Sequence, residues 1–225
     1  MLISHKYNFI FIKTTKTAGT SIEVELSKIM GDKDTVTRVF PEEIDHKPRN
    51  FIINNFETYN HMSCLELKNI IGEKIFNDYY KFTIEREPVD KCISYFSMIK
   101  KSPLFKKKVR FGKVFGSFFK SFKILVKKNE NLSWDEFVVS KSFPIDYKKY
   151  TDRDGNLMVN KKIKYENLEV EFSNLLKKLN ISFRPIKIRA KSGFRSEVKV
   201  SDKQKRIIYD AFNISNKYTG YKLEL

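Results

Sequence analysis

YNFIFIKTTKTAGTSIEVEL, residues 7–26, runs from an apolar stretch through a small polar loop into a helical pattern. Tyr7 to Lys13 is short, aromatic and β-branched, which predicts a buried strand. Thr20-x-x-Glu23 has the form of a capping box, and Ile22, Val24, Leu26 and Ile29 predict a helix to about Met30. A strand, a small-residue loop and a helix suit the holding of an anion. Thr17, Ala18 and Gly19 let backbone N–H groups approach it, and the helix adds its positive end. Lys16 adds a point charge, and the Thr and Ser hydroxyls can donate. An ordinary polar turn is the competing reading. The glycine spacing of a triphosphate-binding loop is absent: the position four before Ala18 is Thr14, and no Gly-Lys pair lies near.

Further along, the pattern alternates. Phe51 to Ile53 suggests a second short strand, and Ser63-x-x-Glu66 opens a helix that Gly72 should close. Tyr79 to Ile84 reads as a third strand. Arg86-Glu87-Pro88 follows it, and proline suits the first turn of the helix that places Cys92, Tyr95, Phe96 and Ile99 on one side. Ser133-x-x-Glu136 caps another helix. Asp154-Gly155-Asn156 reads as a hairpin turn between YKKYT and LMVNKKIKY. Asn167 to Leu179 is amphipathic, and Ser201-x-x-Gln204 opens a helix to about Phe212. Alternation of this kind predicts a three-layer α/β fold with a mostly parallel central sheet, in a single domain over residues 1–225. Ligands of such sheets sit beyond the C-terminal strand ends, where residues 13–21 fall.

FIFIKTTKTAGTSIE resembles the 5'-phosphosulfate loop of PAPS-dependent sulfotransferases, with Lys16, Thr17, Gly19, Thr20 and Ser21 on the family pattern. Thr15 stands where members usually have Pro, and Lys13 where many have His. A second stretch, KFTIEREPVDKCISYF, is similar to the family's 3'-phosphate segment, in which a strand ends in Arg, then Pro, with Ser eight residues after the Arg: Arg86, Pro88 and Ser94. That spacing puts Ser94 about two helical turns along, so both side chains can face one phosphate. A salt bridge from Arg86 to Glu85 or Glu87 is the structural alternative. KYENLEVEFSNLLKKLNI looks like the family's late helix, and RAKSGFRS, residues 189–196, stands where members carry a basic loop over the cofactor.

The resemblance implies a cofactor site of Lys13, Thr15, Lys16, Thr17, Ala18, Gly19, Thr20, Ser21, Arg86, Ser94, Lys191, Ser192, Gly193 and Arg195. PAPS would be the donor, PAP the product, and no metal would be required. It implies sulfuryl transfer to an acceptor hydroxyl, on a saccharide or glycolipid, with Lys16 meeting the leaving phosphate. Members resembling uronyl 2-O-sulfotransferases carry a base His between the two motifs. His61 in YNHMSCLEL is that residue here, and its ordinary pKa of about 6.5 suits a base at neutral pH. A His that helps cap the helix is the bland alternative. Glu57 is the fallback base. A P-loop-like kinase and a non-catalytic polyanion-binding protein are the competing functions.

Composition bounds these readings. Among 225 residues, 44 Lys and Arg face 27 Asp and Glu, a formal net charge of +17 that attracts polyanions. No acidic residue lies between Asp90 and Glu130. Residues 100–128 interleave Lys with Phe105, Phe111, Phe115, Phe118, Phe119 and Phe122 at helical spacing. A core-packed helix with a solvated basic face, a membrane-surface helix and an acceptor lid compete for this tract. No nucleic-acid motif accompanies it, so nucleic acid is not an expected partner. Cys64 and Cys92 read as buried thiols, and neither they nor the three His form a metal-ligand pattern. With no apolar run near ~20 residues and no signal-peptide pattern, a soluble cytoplasmic protein is expected.

Overall fold

A computed structural model describes residues 1–39, 43–101, 133–182 and 195–224. Most of the basic aromatic tract, together with Lys191, Ser192 and Gly193, lies outside the described residues. The central sheet has the order β3-β1-β2-β6-β7, from β1 (Leu2–Ser4), β2 (Phe9–Ile12), β3 (Thr35–Val36), β6 (Tyr80–Glu85) and β7 (Lys161–Lys164). β2, β6 and β7 run parallel, and β1 and β3 extend the β2 edge antiparallel. The α/β class expected from the sequence is the class found.

The FIFI run of β2 is buried on both sides, which requires a layer on each. Phe9 and Phe11 point to one face, packing with Phe82, α1 (Gly19–Ser27) and Phe172. Phe11 stacks on Phe82 at 5.0 Å between centroids. Ile10 and Ile12 point to the other face, against Met62, Leu67, Phe76 and Tyr150. Burying one such side chain fully is worth about 1.5–3 kcal/mol, so this one strand anchors both layers. A third cluster joins α4 (Pro88–Lys101) through Cys92, Tyr95, Phe96 and Ile99 to Trp134, Phe137, Ile208 and Phe212. Cys64 and Cys92 are buried free thiols. Among the described residues, no helix is long and apolar enough to cross a membrane.

Capping boxes form as expected at Ser63/Glu66, Ser133/Glu136 and Ser201/Gln204. They open α2 (Cys64–Ile71), α5 (Trp134–Ser140) and α7 (Asp202–Ala211). Gly72, at φ 84°, ends α2 and precedes α3 (Glu73–Asp78). The box expected at Thr20/Glu23 does not form. Helix α1 starts two residues earlier, with Ala18 as N-cap in the left-handed region and no side-chain cap. Glu23 is buried and turned away, toward Lys13 and the Met1 amino group.

Two other expectations are corrected. Ile52–Ile53 (β4) is outside the central sheet and pairs with Phe56–Glu57 (β5) as a hairpin. The Asp154–Asn156 turn carries a single bridge, Thr151 to Leu157. Tyr147–Lys149 forms a 3-10 turn rather than a strand, and Lys161–Lys164 pairs with β6. Beyond it, α6 (Leu168–Lys178) covers the sheet through Leu168, Phe172, Leu175 and Leu176. A final helix, α8 (Asn213–Thr219), follows α7 directly.

His46 is buried, and neither ring nitrogen has a partner among the described residues. Burial, aided by the nearby Met1 amino group, Lys13 and Arg49, pushes its pKa down to about 4. The unfolded chain therefore binds a proton at higher pH than the folded one. Stability from this group is full above about pH 6.5 and falls as pH drops toward 4, by roughly 3 kcal/mol at most. The melting temperature should fall between pH 7 and pH 5, and His46→Gln should flatten that slope. An unchanged slope in the variant would assign the acid loss to other groups.

Candidate active site

Strands β2 and β6 end side by side, and the chain leaves them through Lys13-Thr14-Thr15 and Arg86-Glu87. Two contacts tie these exits together. The Thr14 hydroxyl donates to the Ile84 carbonyl, and Arg86 Nη1 donates to the Lys16 carbonyl at 3.0 Å. Thr14 and Thr17 also share a hydroxyl contact of 3.0 Å, which closes the loop on itself.

Lys16 (φ 62°) and Ala18 (φ 58°) both take the left-handed conformation, unusual for residues with a Cβ. Alternating handedness turns successive N–H groups toward one side, the form of an anion-binding concavity. The amides of Thr17, Ala18, Gly19, Thr20 and Ser21 donate to no described residue; the first loop-to-helix bond is Ile22 N–H to the Ala18 carbonyl. Gly19 is required for a steric reason. A Cβ there would meet Lys13 Cγ at 2.7 Å.

Lys13 passes over Gly19 into the interior. Its Nζ lies 2.6 Å from Glu23 Oε2 and 2.9 Å from Thr20 Oγ1, and its side chain is buried. The structure thus pairs Lys13 with an internal carboxylate, whereas Lys16 is half-buried on the loop. Ser21 is half-buried in the first turn of α1.

Arg86 is held on three sides. Its Nε donates to Asp90 at 2.5 Å, its Nη1 to Lys16 O, and its guanidinium lies 4.1 Å from the Tyr165 ring centre. The expected structural partners, Glu85 and Glu87, are engaged elsewhere. Glu87 caps the start of α4 through the Val89 and Asp90 amides. A guanidinium carries five N–H donors, and two are used, so three have no partner among the described residues. Arg195 reaches the same Asp90 carboxylate from the other side. Ser94 sits half-buried on α4 and makes no hydrogen bond to a described residue.

His61 stands in the turn before α2, with Nδ1 3.1 Å from the Lys13 carbonyl. A carbonyl only accepts, so Nδ1 carries the hydrogen, and in the neutral ring Nε2 holds the lone pair. Burial, then the positive charges of Lys149 and Lys13, hold its pKa well below the usual 6.5. The ring is therefore neutral at pH 7. Glu57 lies in the β4–β5 hairpin and makes no hydrogen bond or ion pair to this loop among the described residues.

The sequence reading missed a buried ion cluster beneath the loop. Asp146 accepts from Thr15 N–H at 2.7 Å and from Thr15 Oγ1 at 3.1 Å. It also pairs with Lys149 at 2.5 Å and with Lys91 at 2.9 Å. Lys91 is fully buried and bridges to Glu85 at 2.7 Å. Burial alone would raise the Asp146 pKa, but Lys149 and Lys91 outweigh it and hold the carboxyl well below its ordinary value. The one sequence signal was the Asp146–Lys149 spacing of three, which makes an ion pair only because the segment turns as a 3-10 helix.

The loop, Arg86 and His61 thus converge at the ends of two parallel strands, in the chain order of the two motifs. No curated protein and no solved structure matches the chain. The family model that does match is that of the sulfotransferase family, over residues 1–222. Loop, strand-end arginine and near end-to-end coverage agree, and the chain belongs to the sulfotransferase family.

Proposed function

We propose that this sulfotransferase moves a sulfuryl group from PAPS to an acceptor hydroxyl on a saccharide or glycolipid. The observation that carries the donor assignment is the run of amides from Thr17 to Ser21 without a partner among the described residues, at the start of a helix with no side-chain cap. Buried or half-buried N–H groups need an acceptor, and a phosphosulfate supplies several. When bound, PAPS supplies an activated sulfuryl group on a phosphate leaving group.

The loop amides and Lys16 would hold and neutralise the 5' end. Arg86, with its three remaining donors, and Ser94 would hold the 3'-phosphate, with Arg195 approaching from the far side of Asp90. His61, neutral with Nε2 as acceptor, would take the acceptor's proton. The saccharide or glycolipid class of the acceptor rests on the family resemblance.

Thermal shift tests the donor site. PAP with EDTA at about one hundred times its dissociation constant should stabilise the protein by about 2.7 kcal/mol, or roughly 5–10 °C. ATP with magnesium should do far less. Lys16→Ala and Arg86→Ala should each abolish most of the PAP shift. A larger shift with ATP, or with RNA, would overturn the reading in favour of a kinase or a polyanion binder.

A further inference from the structure

We propose that Asp146 is the positioning residue of the donor loop, an inference that rests on the donor reading above. The loop enters through Thr15, immediately before the left-handed Lys16. A flexible residue at that point would let Lys16 and Ala18 relax to ordinary backbone angles and scatter the amides that follow. Asp146, 131 residues further along the chain, binds both Thr15 donors, N–H and hydroxyl. Two contacts on one residue fix both its backbone and its side chain.

Asp146 is itself immobilised. It is 3% exposed and pinned by Lys91 from within the core and by Lys149 from the rim. The rim lysine adds a third link, with its Nζ 3.3 Å from Thr15 Oγ1. Thr15 is thus anchored to β6 and α4 through Asp146, Lys91 and Glu85. The arrangement does from outside what a ring does inside proline, which limits φ without any partner. It also leaves Lys149 facing the side of the loop where His61 lies, consistent with its electrostatic effect on that ring.

The test is a double-mutant cycle on PAP affinity, measured by calorimetry on protein shown to be folded. Thr15→Ala leaves the buried ion pairs intact and removes only the hydroxyl's contacts, to Asp146 and, at 3.3 Å, to Lys149. It should weaken PAP by about three- to fivefold, the scale of one hydrogen bond. Asp146→Ala removes both contacts and should weaken it by about 10- to 100-fold. The double variant should bind within about twofold of Asp146→Ala alone, because of the hydroxyl's contacts only the longer one, to Lys149, is left for it to remove. Effects that simply multiply, or variants that lose melting temperature with unchanged PAP affinity, would make Asp146 merely structural and overturn the proposal. If Asp146→Ala does not fold, unchanged PAP affinity in Thr15→Ala overturns it. Failure of the unaltered protein to bind PAP would instead sink the donor reading.

Discussion

Replacing His61 with alanine is expected to leave PAP affinity within about twofold and to cut turnover by about 10²- to 10⁴-fold, the usual range for loss of a general base. The split follows from geometry. Ring Nδ1 meets the loop at the Lys13 carbonyl, which is not among the amides that would face the donor. Its other nitrogen is the only one with a lone pair, so the proton must go there. The pH dependence gives an independent readout. Burial, Lys149 and Lys13 all lower the pKa of His61, so the base stays neutral to below pH 6.5 and the acid limb of kcat should lie below that value. Asp146 favours the charged ring, but burial and the two lysines outweigh it, so the limb stays below the ordinary histidine value. Turnover retained in His61→Ala would move the base elsewhere, and loss of PAP binding with turnover would make His61 a support for the loop.

Most of the donor loop was legible because its signals are local. An apolar FIFI run has one folded use, a strand covered on both faces, and small residues after it leave backbone exposed. The helix starts at 63, 133 and 201 were legible for the same reason, since a capping box closes within four residues. The box at Thr20 misled because its glutamate had a stronger partner, the Lys13 ammonium, in a dry interior. Lys161–Lys164 was hidden by composition: one buried isoleucine among three lysines does not read as a central-sheet strand, and only β6 beside it makes it one. Asp146 was invisible for a deeper reason. Its partners are Thr15, Lys91 and Lys149, and two of the three are far away in sequence. No periodicity records a contact that only the fold creates. Thr15 itself was the informative departure: the residue that replaced a self-restricting proline is the one with a distant anchor.

Lys91→Met is expected to be the most damaging single change to stability, by about 3–5 kcal/mol, the usual cost of removing one partner from a buried ion pair. Methionine fills nearly the same volume, so packing is spared and the loss is electrostatic. The ammonium is fully buried and is shared by Glu85 at 2.7 Å and Asp146 at 2.9 Å. Burial pulls its pKa down, but the two carboxylates outweigh this and hold it above the ordinary lysine value. Without it Asp146 keeps Lys149, whereas Glu85 keeps no cation among its described contacts. Burial already raises the Glu85 pKa, with Lys91 as the largest opposing influence, so the variant's carboxyl must rise further. A carboxyl whose folded pKa exceeds its unfolded one is penalised at neutral pH and relieved as pH falls through the folded value. The deficit of Lys91→Met in urea unfolding should therefore shrink between pH 7 and pH 5, and adding Glu85→Gln should recover part of it at pH 7. A deficit below about 1 kcal/mol, or one that grows on acidification, would mean that water reaches the cluster and that Lys91 does not carry its charge balance.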